Sequence, residues 1–297
     1  MIFASTDKEF RTNKRTDGMI IYEPNSRSRL GLFGVWRTMA ADIYTSRDLI
    51  AQMFKRDFFG VYKKSFLGIA WVFITPLLAI VSWLIMNATG ILKPGDVGIP
   101  YPAYVLLSST IYGMFMGFYM AALGTLDAGA GFIMQVKYPH EAFLIKQVAQ
   151  YLANFIMSFA VAIAALLIFR IIPHWQIIFF PLFMLPFFLL GSAIGLVMTV
   201  VNVVAVEATR VMNIVLGLII YITPVIYAPS VENPVLQKII AYNPLTYFVG
   251  FARDMIVYGK AEHFDRYLIA SLASLVLFLA AWNLFYVSED KVIEKMI

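Results

Sequence analysis

Residues 56–86 read RDFFGVYKKSFLGIAWVFITPLLAIVSWLIM, and a change of character inside this stretch decides the fold. Its first nine residues carry four charged side chains, Arg56, Asp57, Lys63 and Lys64, whereas residues 65–86 carry none. An uncharged helix of this length, at ~1.5 Å per residue, spans the ~30 Å hydrocarbon core of a bilayer. The stretch therefore predicts a charged helix that bends near Lys63 and Lys64 into a membrane-crossing helix.

The chain as a whole has the composition of a membrane protein. Of its 297 residues, 61% are hydrophobic and 14% are charged, whereas soluble domains carry about 25% charged residues. Continuous apolar runs are typical of spanning helices, while barrel strands alternate. The sequence therefore predicts an all-α integral membrane protein with six transmembrane helices, at about 66–90, 101–126, 142–169, 177–201, 211–228 and 267–287. It has no cysteine, so no disulfide is expected.

The basic residues predict how these spans are oriented. Residues 1–64 hold twelve of the 23 Lys and Arg residues, and six spans place both chain ends on one side, which then carries 17 of the 23. Basic residues favour the cytoplasmic side of a membrane. We therefore expect both termini in the cytoplasm, with a tail at 1–35 and a short C-terminal segment at 291–297. Because topology accounts for the net charge of +5, no nucleic acid partner is expected.

Residues 36–62 have the pattern of an amphipathic helix that lies in the membrane surface. One helical face is apolar and the opposite face is charged or polar, although Arg47 and Asp57 intrude on the apolar side. A basic amphipathic helix of this kind binds at a membrane interface. Packing on a soluble partner is the alternative, and both could hold. The apolar face consists of Trp36, Ala40, Ile43, Ile50, Phe54, Phe58 and Val61.

The segment between the last two runs predicts two further helices. It contains the dipeptide AsnPro twice, and Asn caps a helix while Pro fits its first turn. We expect helices at 234–242 and 244–258, with Gly259 ending the second. Arg253 and Asp254 make the second helix too charged for an ordinary crossing, so residues 229–258 are interpreted as a re-entrant hairpin on the outer side. Since adjacent helical residues do not face each other, each of these two charges is expected to pair elsewhere or to reach the membrane interface.

The sequence lacks the motifs of enzymes and of ion-coupled carriers. Its histidines, His140, His174 and His263, fall in separate predicted loops, so no metal site is expected. No phosphate-binding loop is present, so the energy for any pumping must come from another chain. The few charges near span ends are interpreted as interface anchors rather than proton relays. These residues are Lys146, Arg170, Glu207 and Arg210.

Aromatic residues make up 15% of the chain and many lie within the predicted spans. Ordinary packing and positioning at the membrane interface explain most of them. The functional alternative is a stacking surface for sugar rings, which tolerates different sugars. The candidate channel residues are Trp71, Phe73, Trp83, Tyr112, Phe115, Tyr119, Tyr221 and Tyr227.

Three blocks of sequence resemble one family, the membrane subunits of type-2 ABC exporters of polysaccharides (O-antigen, capsule and teichoic acid). RDFFGVYKKSFLGIAWVFITPL (56–77) resembles the family signature RD…YK.S.LG..W…PL. VKYPHE (136–141) resembles the VYFPRE loop, with His140 in place of Arg. ITPVIY (222–227), YNPLTY (242–247) and GFARD (250–254) resemble the block SPVIY…NP…R. The family's YRD loop has only a loose counterpart here, around Glu207.

This resemblance implies an exporter of a lipid-linked polysaccharide in the bacterial cytoplasmic membrane. It implies two copies of this chain forming a channel in the lipid bilayer, above two copies of a separate ATPase that binds ATP and Mg²⁺; this chain itself would bind no cofactor. The six-span domain would cover 63–290. A helix at 127–139 would couple to the ATPase through Phe132, Gln135, Val136, Lys137, Tyr138 and Pro139. Polymer would come in past Arg56, Tyr62, Lys63 and Lys64, and an outer gate would use Asn243, Pro244, Arg253 and Asp254.

Two other functions stay open at this point. A type-2 ABC exporter of drugs or small lipids would share the predicted spans and outer hairpin. A membrane enzyme of glycan assembly would need acids or a metal site near a loop, and the predicted outer acids are scattered: Asp96, Glu232, Asp254, Glu262 and Asp265.

Overall fold

A computed structural model of the chain describes residues 15–16, 19–20, 37, 40–41, 43–63, 66–125 and 140–296. These residues form a helical bundle, apart from a short antiparallel pair, Arg15–Thr16 with Met19–Ile20, in the tail predicted to be irregular. The helices are α1 Arg47–Lys63, α2 Trp71–Ala88, α3 Tyr101–Leu123, α4 His140–Ile168, α5 Phe180–Phe183, α6 Leu185–Asn202, α7 Val206–Leu218, α8 Pro234–Tyr242, α9 Pro244–Val257 and α10 Phe264–Met296. Three 3₁₀ segments, Gly68–Ala70, Trp175–Phe179 and Ile219–Ile222, connect some of them.

Within the described ranges, five helical segments are long and apolar enough to cross a membrane. Four of them match predicted runs closely, and the first is shorter than predicted. The uncharged run begins at Ser65, but the spanning helix begins only at Trp71. The 3₁₀ segment precedes it, and Gly68 there has φ 51°, a left-handed conformation that suits glycine. The five segments are Trp71–Ala88, Tyr101–Leu123, Ala142–Ile168, Trp175–Asn202 and Phe264–Ser288.

The run predicted at 211–228 is not one continuous helix. The α-helix α7 ends at Leu218, a 3₁₀ segment continues to Ile222, and Thr223 is extended with φ −112° and ψ 134°. Pro224 explains this end, because proline lacks an N–H and disfavours the helical conformation in the residue before it. The sequence therefore located the segment correctly but overestimated its helical length.

Helix α3 lies at the centre of the bundle. In its most apolar 18-residue stretch 78% of the residues are buried, whereas in α2 only 11% are. It packs against α6 through two glycines. A Cβ atom on Gly191 would lie 2.8 Å from the Phe115 carbonyl oxygen, and one on Gly195 would lie 2.5 Å from the Tyr119 carbonyl oxygen. The two helices run parallel, since both contacts advance together along the chain. This small-xxx-small contact lets two backbones approach closely.

One face of α3 carries four tyrosines, at positions 101, 104, 112 and 119, which we call the tyrosine ladder. Their hydroxyls donate hydrogen bonds to a single stretch of chain. Tyr119 binds the Asn213 side-chain oxygen at 2.6 Å, and Tyr112 binds the Leu216 carbonyl at 2.8 Å. Tyr104 binds the Pro224 and Tyr227 carbonyls, and Tyr101 binds the Ile226 carbonyl. Residues 213–227 therefore run antiparallel to α3 along its length.

The loops predicted to lie outside the membrane meet at one end of the bundle. The Ala228 amide donates to the Pro94 carbonyl at 2.7 Å, and the Gln176 side chain donates to the Gly259 carbonyl at 2.8 Å. At the opposite end, Gly124, which directly follows α3, lies beside Gln147 of α4. Helix α1, predicted to lie in the membrane surface, packs against this same part of α4.

We predict that Gly195→Ala destabilises the bundle by about 1–3 kcal/mol, the usual cost of overpacking a core. The added methyl group would lie 2.5 Å from a backbone oxygen and 2.6 Å from the Ala122 Cβ atom, so α3 and α6 must separate. Unfolding in mixed detergent micelles, followed by circular dichroism, measures the change. Gly113→Ala is the matched control on α3, because a Cβ atom there meets nothing within 4 Å. Equal effects of the two substitutions would contradict the close contact.

Candidate functional site

Residues 223–228, here called the Pro224 loop, form an irregular and mostly buried segment at the end of the bundle where the loops after α2, α4 and α9 meet. Val225, Ile226 and Ala228 are 0%, 3% and 2% exposed. Irregular backbone is tolerated at membrane depth only where protein groups satisfy its hydrogen bonds. In this loop the tyrosine ladder, the hairpin α8–α9 and the Pro94 carbonyl supply the partners.

Arg253 joins the hairpin to the Pro224 loop and to α3. One of its terminal nitrogens donates to the Tyr104 hydroxyl at 2.7 Å and to the Pro224 carbonyl at 3.3 Å. The guanidinium carbon lies 4.7 Å from the centre of the Tyr104 ring, a cation–π contact, and the residue is only 7% exposed. One arginine thus holds three elements together.

The expectation that Arg253 and Asp254 would not contact each other was wrong, although Arg253 also pairs elsewhere, with Tyr104. The Arg253 Nε atom lies 3.1 Å from the Asp254 carboxylate. The long arginine side chain can turn its guanidinium toward the neighbouring residue even though the two Cβ atoms point apart. Arg56 and Asp57 do the same at 2.7 Å on α1.

The two AsnPro dipeptides cap the hairpin helices as predicted. The Asn233 side chain accepts from the Val235 and Leu236 amides, and the Asn243 side chain accepts from the Leu245 amide. Pro234 and Pro244 are the first helical residues. Gly259, with φ 69°, follows the end of α9.

Asn243 has a second contact that its capping role did not predict. Its side-chain nitrogen donates to the Thr223 hydroxyl at 2.8 Å and to the Ile222 carbonyl at 3.2 Å. The same side chain therefore starts α9 and holds the beginning of the Pro224 loop.

A cavity of about 400 Å³ opens beside Arg253 at the same end of the bundle. Its wall carries both signs of charge together with two tyrosines. Such a wall can form hydrogen bonds with hydroxyl groups without selecting a strongly charged ligand. The polar residues that line it are Asp96, Tyr104, Arg253, Asp254, Tyr258, Lys260 and Glu262.

The predicted channel aromatics differ in their exposure, and six of the eight are either clearly buried or clearly exposed. Tyr112, Phe115 and Tyr119 are at most 5% exposed and are covered by neighbouring helices, and both tyrosine hydroxyls belong to the ladder. Trp71, Phe73 and Tyr221 are 42%, 45% and 50% exposed.

The remaining two channel candidates lie near Tyr221. The Trp83 ring meets the Tyr221 ring edge-on, with 5.9 Å between centroids. Tyr227 donates to the Tyr221 carbonyl at 2.9 Å. A stacking surface within one chain is therefore offered by residues of α2 and of the segment after α7. Whether these rings line a channel stays a prediction.

The surface helix α1 is held to α4 by an ion pair that was not predicted. The Lys146 Nζ atom lies 2.6 Å from one oxygen of Asp57, whose other oxygen accepts from the Arg56 Nε atom at 2.7 Å. Lys146 is 5% exposed, so its interpretation as an interface anchor was wrong. Asp57 intrudes on the apolar face of α1 because that face packs on protein, with Met53 and Phe58 also buried there. Residues 43–45 are helical too, but a turn at Ser46 separates them from α1.

The pKa of Asp57 reflects these contacts. Burial by itself raises the carboxyl pKa, but the hydrogen bonds from Arg56 and Lys146 outweigh it, and the pKa lies below its usual value. A lowered carboxyl pKa means that the pair stabilises the fold at neutral pH and loses this effect only as the pH falls through the lowered pKa.

Several predicted site residues are outside the part of the chain that the structure describes. These are the coupling residues Phe132, Gln135, Val136, Lys137, Tyr138 and Pro139, and Lys64 of the polymer-side group. Tyr62 and Lys63 belong to the last turn of α1. Among the described residues, no group of His, Asp and Glu side chains is arranged to hold a metal ion.

The bundle of long apolar helices defines the chain as a multi-pass membrane protein. Residues 48–257 match the family model described as ABC-2 type transporter, so the chain belongs to that family. Family membership implies a membrane subunit that works with a separate ABC ATPase. It also confirms the class indicated by the sequence blocks at 56–77 and 222–254.

Three relatives carry the name O-antigen export system permease protein RfbA. One from Myxococcus xanthus is 20% identical over 260 residues, which cover 87% of this chain and 99% of the relative. Two from Klebsiella pneumoniae are 22% and 23% identical, covering 73% and 80% of this chain and 83% and 91% of the relatives. The similarity therefore extends along nearly the whole length of these proteins.

We predict that Tyr104→Phe destabilises the protein by about 1–3 kcal/mol, because it leaves buried polar groups without a partner. The lost hydroxyl accepts from Arg253 and shares its one hydrogen between the Pro224 and Tyr227 carbonyls. Thermal unfolding of the purified protein in detergent measures the loss. Tyr242→Phe removes the same atom from a residue that is 88% exposed and serves as the control. No difference between the two variants would contradict the bridging role of Tyr104.

Proposed function

We propose that this chain is the membrane-spanning subunit of an ATP-driven exporter that moves a lipid-linked polysaccharide of the O-antigen type across the bacterial cytoplasmic membrane. The observation that carries the proposal is the ABC-2 family match over residues 48–257, together with relatives named as O-antigen export permeases over most of the chain. The same match favours a permease over an enzyme of glycan assembly.

The proposal includes a sixth crossing made by α7 and the 3₁₀ segment after it. At ~1.5 Å per α-helical residue and ~2 Å per 3₁₀ residue, Val206–Leu218 and Ile219–Ile222 together rise about 28 Å, close to the ~30 Å hydrocarbon core. The tyrosine ladder supports this crossing. Tyr101 and Tyr119 are ~27 Å apart along α3, and their partners lie at opposite ends of residues 213–227.

The proposed orientation places the Pro224 loop and the hairpin α8–α9 on the outer side and α1 on the cytoplasmic side. The clustering of the loops after α2, α4 and α9 at one end supports it, since an even number of crossings separates these loops. With six crossings both termini lie in the cytoplasm. In this orientation the hairpin enters the membrane from outside and acts as a gate held by Arg253 and Asn243.

The work comes from a partner. Two copies of this chain associate with two copies of an ABC ATPase, which binds ATP and Mg²⁺ and contacts the segment 127–139. ATP binding moves the permease between two states, and it can do so only through contacts that differ between them. The exposed aromatics of α2 and of the segment after α7, Trp71, Phe73 and Tyr221, provide sugar-tolerant stacking surfaces between the two copies.

Reconstitution with the cognate ATPase tests the function. We expect the complex, but not this chain alone, to hydrolyse ATP and to move a lipid-linked O-polysaccharide into inverted membrane vesicles. Hydrophobic drugs and short-chain lipids are the competing cargoes in the same assay. Transport of these cargoes without transport of the glycan would contradict the proposed substrate class, and glycan synthesis by the chain alone would contradict the transport role.

Labelling of single cysteines tests the orientation, since the chain has no cysteine of its own. Ser230→Cys lies in an exposed part of the outer segment, and Gln52→Cys lies on the exposed side of α1. We expect a membrane-impermeant maleimide to label the first variant in intact spheroplasts and the second only after lysis. Labelling of Gln52→Cys in intact spheroplasts, or protection of Ser230→Cys, would refute the orientation.

A further inference from the structure

The ion pair between Asp57 and Lys146 connects α1, which precedes the first spanning helix, with α4, which follows the segment 126–139. Asp57 is on α1, the surface helix that leads into the spanning helix α2, and Lys146 is on α4, which begins at His140 directly after the segment 126–139. Their charged atoms are 2.6 Å apart. We propose that this pair links α4 to α1 mechanically, so that movement of the ATPase-facing segment reaches α2. The proposal rests on the exporter function proposed above.

The position of Lys146 suits such a link. It lies six residues after His140, ~9 Å along the helix, so a shift of the beginning of α4 carries it directly. Asp57 lies six residues before the last residue of α1, Lys63. The described part of α1 packs against α4 and the 3₁₀ segment Gly68–Ala70, so α4 is the long helix that supports it.

Because Lys146 is buried, its ammonium group depends on the Asp57 carboxylate as its charged partner. Its side chain is 6% exposed and that of Asp57 is 26% exposed. Apart from this carboxylate, the Lys146 ammonium has a long hydrogen bond of 3.4 Å to Gln147. Removing one partner of a buried pair leaves an uncompensated charge, so the two helices lose a directional contact rather than a small amount of packing.

A pair that only stabilises the fold and a pair that transmits movement predict different results. A stabilising pair affects assembly, ATP hydrolysis and export together. A transmitting pair affects the amount of glycan exported per ATP hydrolysed, since the ATPase subunits still work while the movement is lost. The ratio of export to hydrolysis therefore separates the two roles.

The experiment uses the full chain assembled with its ATPase in proteoliposomes. We expect Asp57→Asn to assemble and hydrolyse ATP at a rate within about twofold of wild type, while export per ATP falls at least about tenfold, a coupling loss typical of linked sites. The reciprocal exchange Asp57→Lys with Lys146→Asp retains opposite charges and is expected to restore the ratio to within about threefold of wild type.

Asp48→Asn is the matched control on the same helix. It removes the same charge, but the Asp48 side chain is 88% exposed and lies 3.9 Å from Arg47, away from α4. Its ratio of export to hydrolysis is expected to equal that of wild type.

Three results would overturn the proposal: an unchanged ratio in Asp57→Asn, a parallel loss of export and hydrolysis, or an assembled reciprocal variant that still hydrolyses ATP without export. If Asp57→Asn does not assemble, the test rests on the ratio of export to hydrolysis in the reciprocal variant. A wild-type complex that hydrolyses ATP but moves no glycan would instead refute the proposed function, so the two failures are distinguishable.

Discussion

Buried backbone carbonyls need hydrogen-bond donors, and this requirement shapes the end of the molecule that contains the Pro224 loop. Pro224 ends the helix before it, so the carbonyls of the Pro224 loop have no partner within a helix. Tyr101 and Tyr104 of α3 and Arg253 of α9 donate to them. The Pro224 loop is therefore held from two sides, by two tyrosines on one face of α3 and by one arginine of α9.

Two faces of α3 make different kinds of contact with the rest of the bundle. One face accepts the glycines of α6 at backbone distance, while the tyrosine ladder occupies another. By contrast, in the part of the chain that the structure describes, α1 packs mainly on α4 and a short 3₁₀ segment, and the ion pair between Asp57 and Lys146 lies at this contact. The structure thus combines a closely packed centre, whose contacts are short and numerous, with a surface helix whose attachment depends on a few residues.

The helix ends were predictable because their signals are local. Asn233 and Asn243 cap the next helix through amides two or three residues away, and the proline after each fits the first turn. Four of the predicted crossings follow from unbroken hydrophobicity alone. The family was also accessible, since its sequence blocks at 56–77 and 222–254 lie within the matched region. The prolines at 224 and 229 already marked the end of the run at 211–228 as uncertain from the sequence, and the structure places the end of the α-helix at Leu218.

The sequence by itself thus determined that the chain is a helical membrane protein, where most helices start and stop, and to which family it belongs. Only the tertiary structure decided what Tyr119, Lys146 and Arg253 do. The partner of Tyr119 is 94 positions away along the chain, and that of Arg253 is 149 positions away. Hydropathy and capping depend on neighbours within a helical turn or two, whereas a hydroxyl or ammonium acquires its role from whichever distant atom the packing brings within 3 Å.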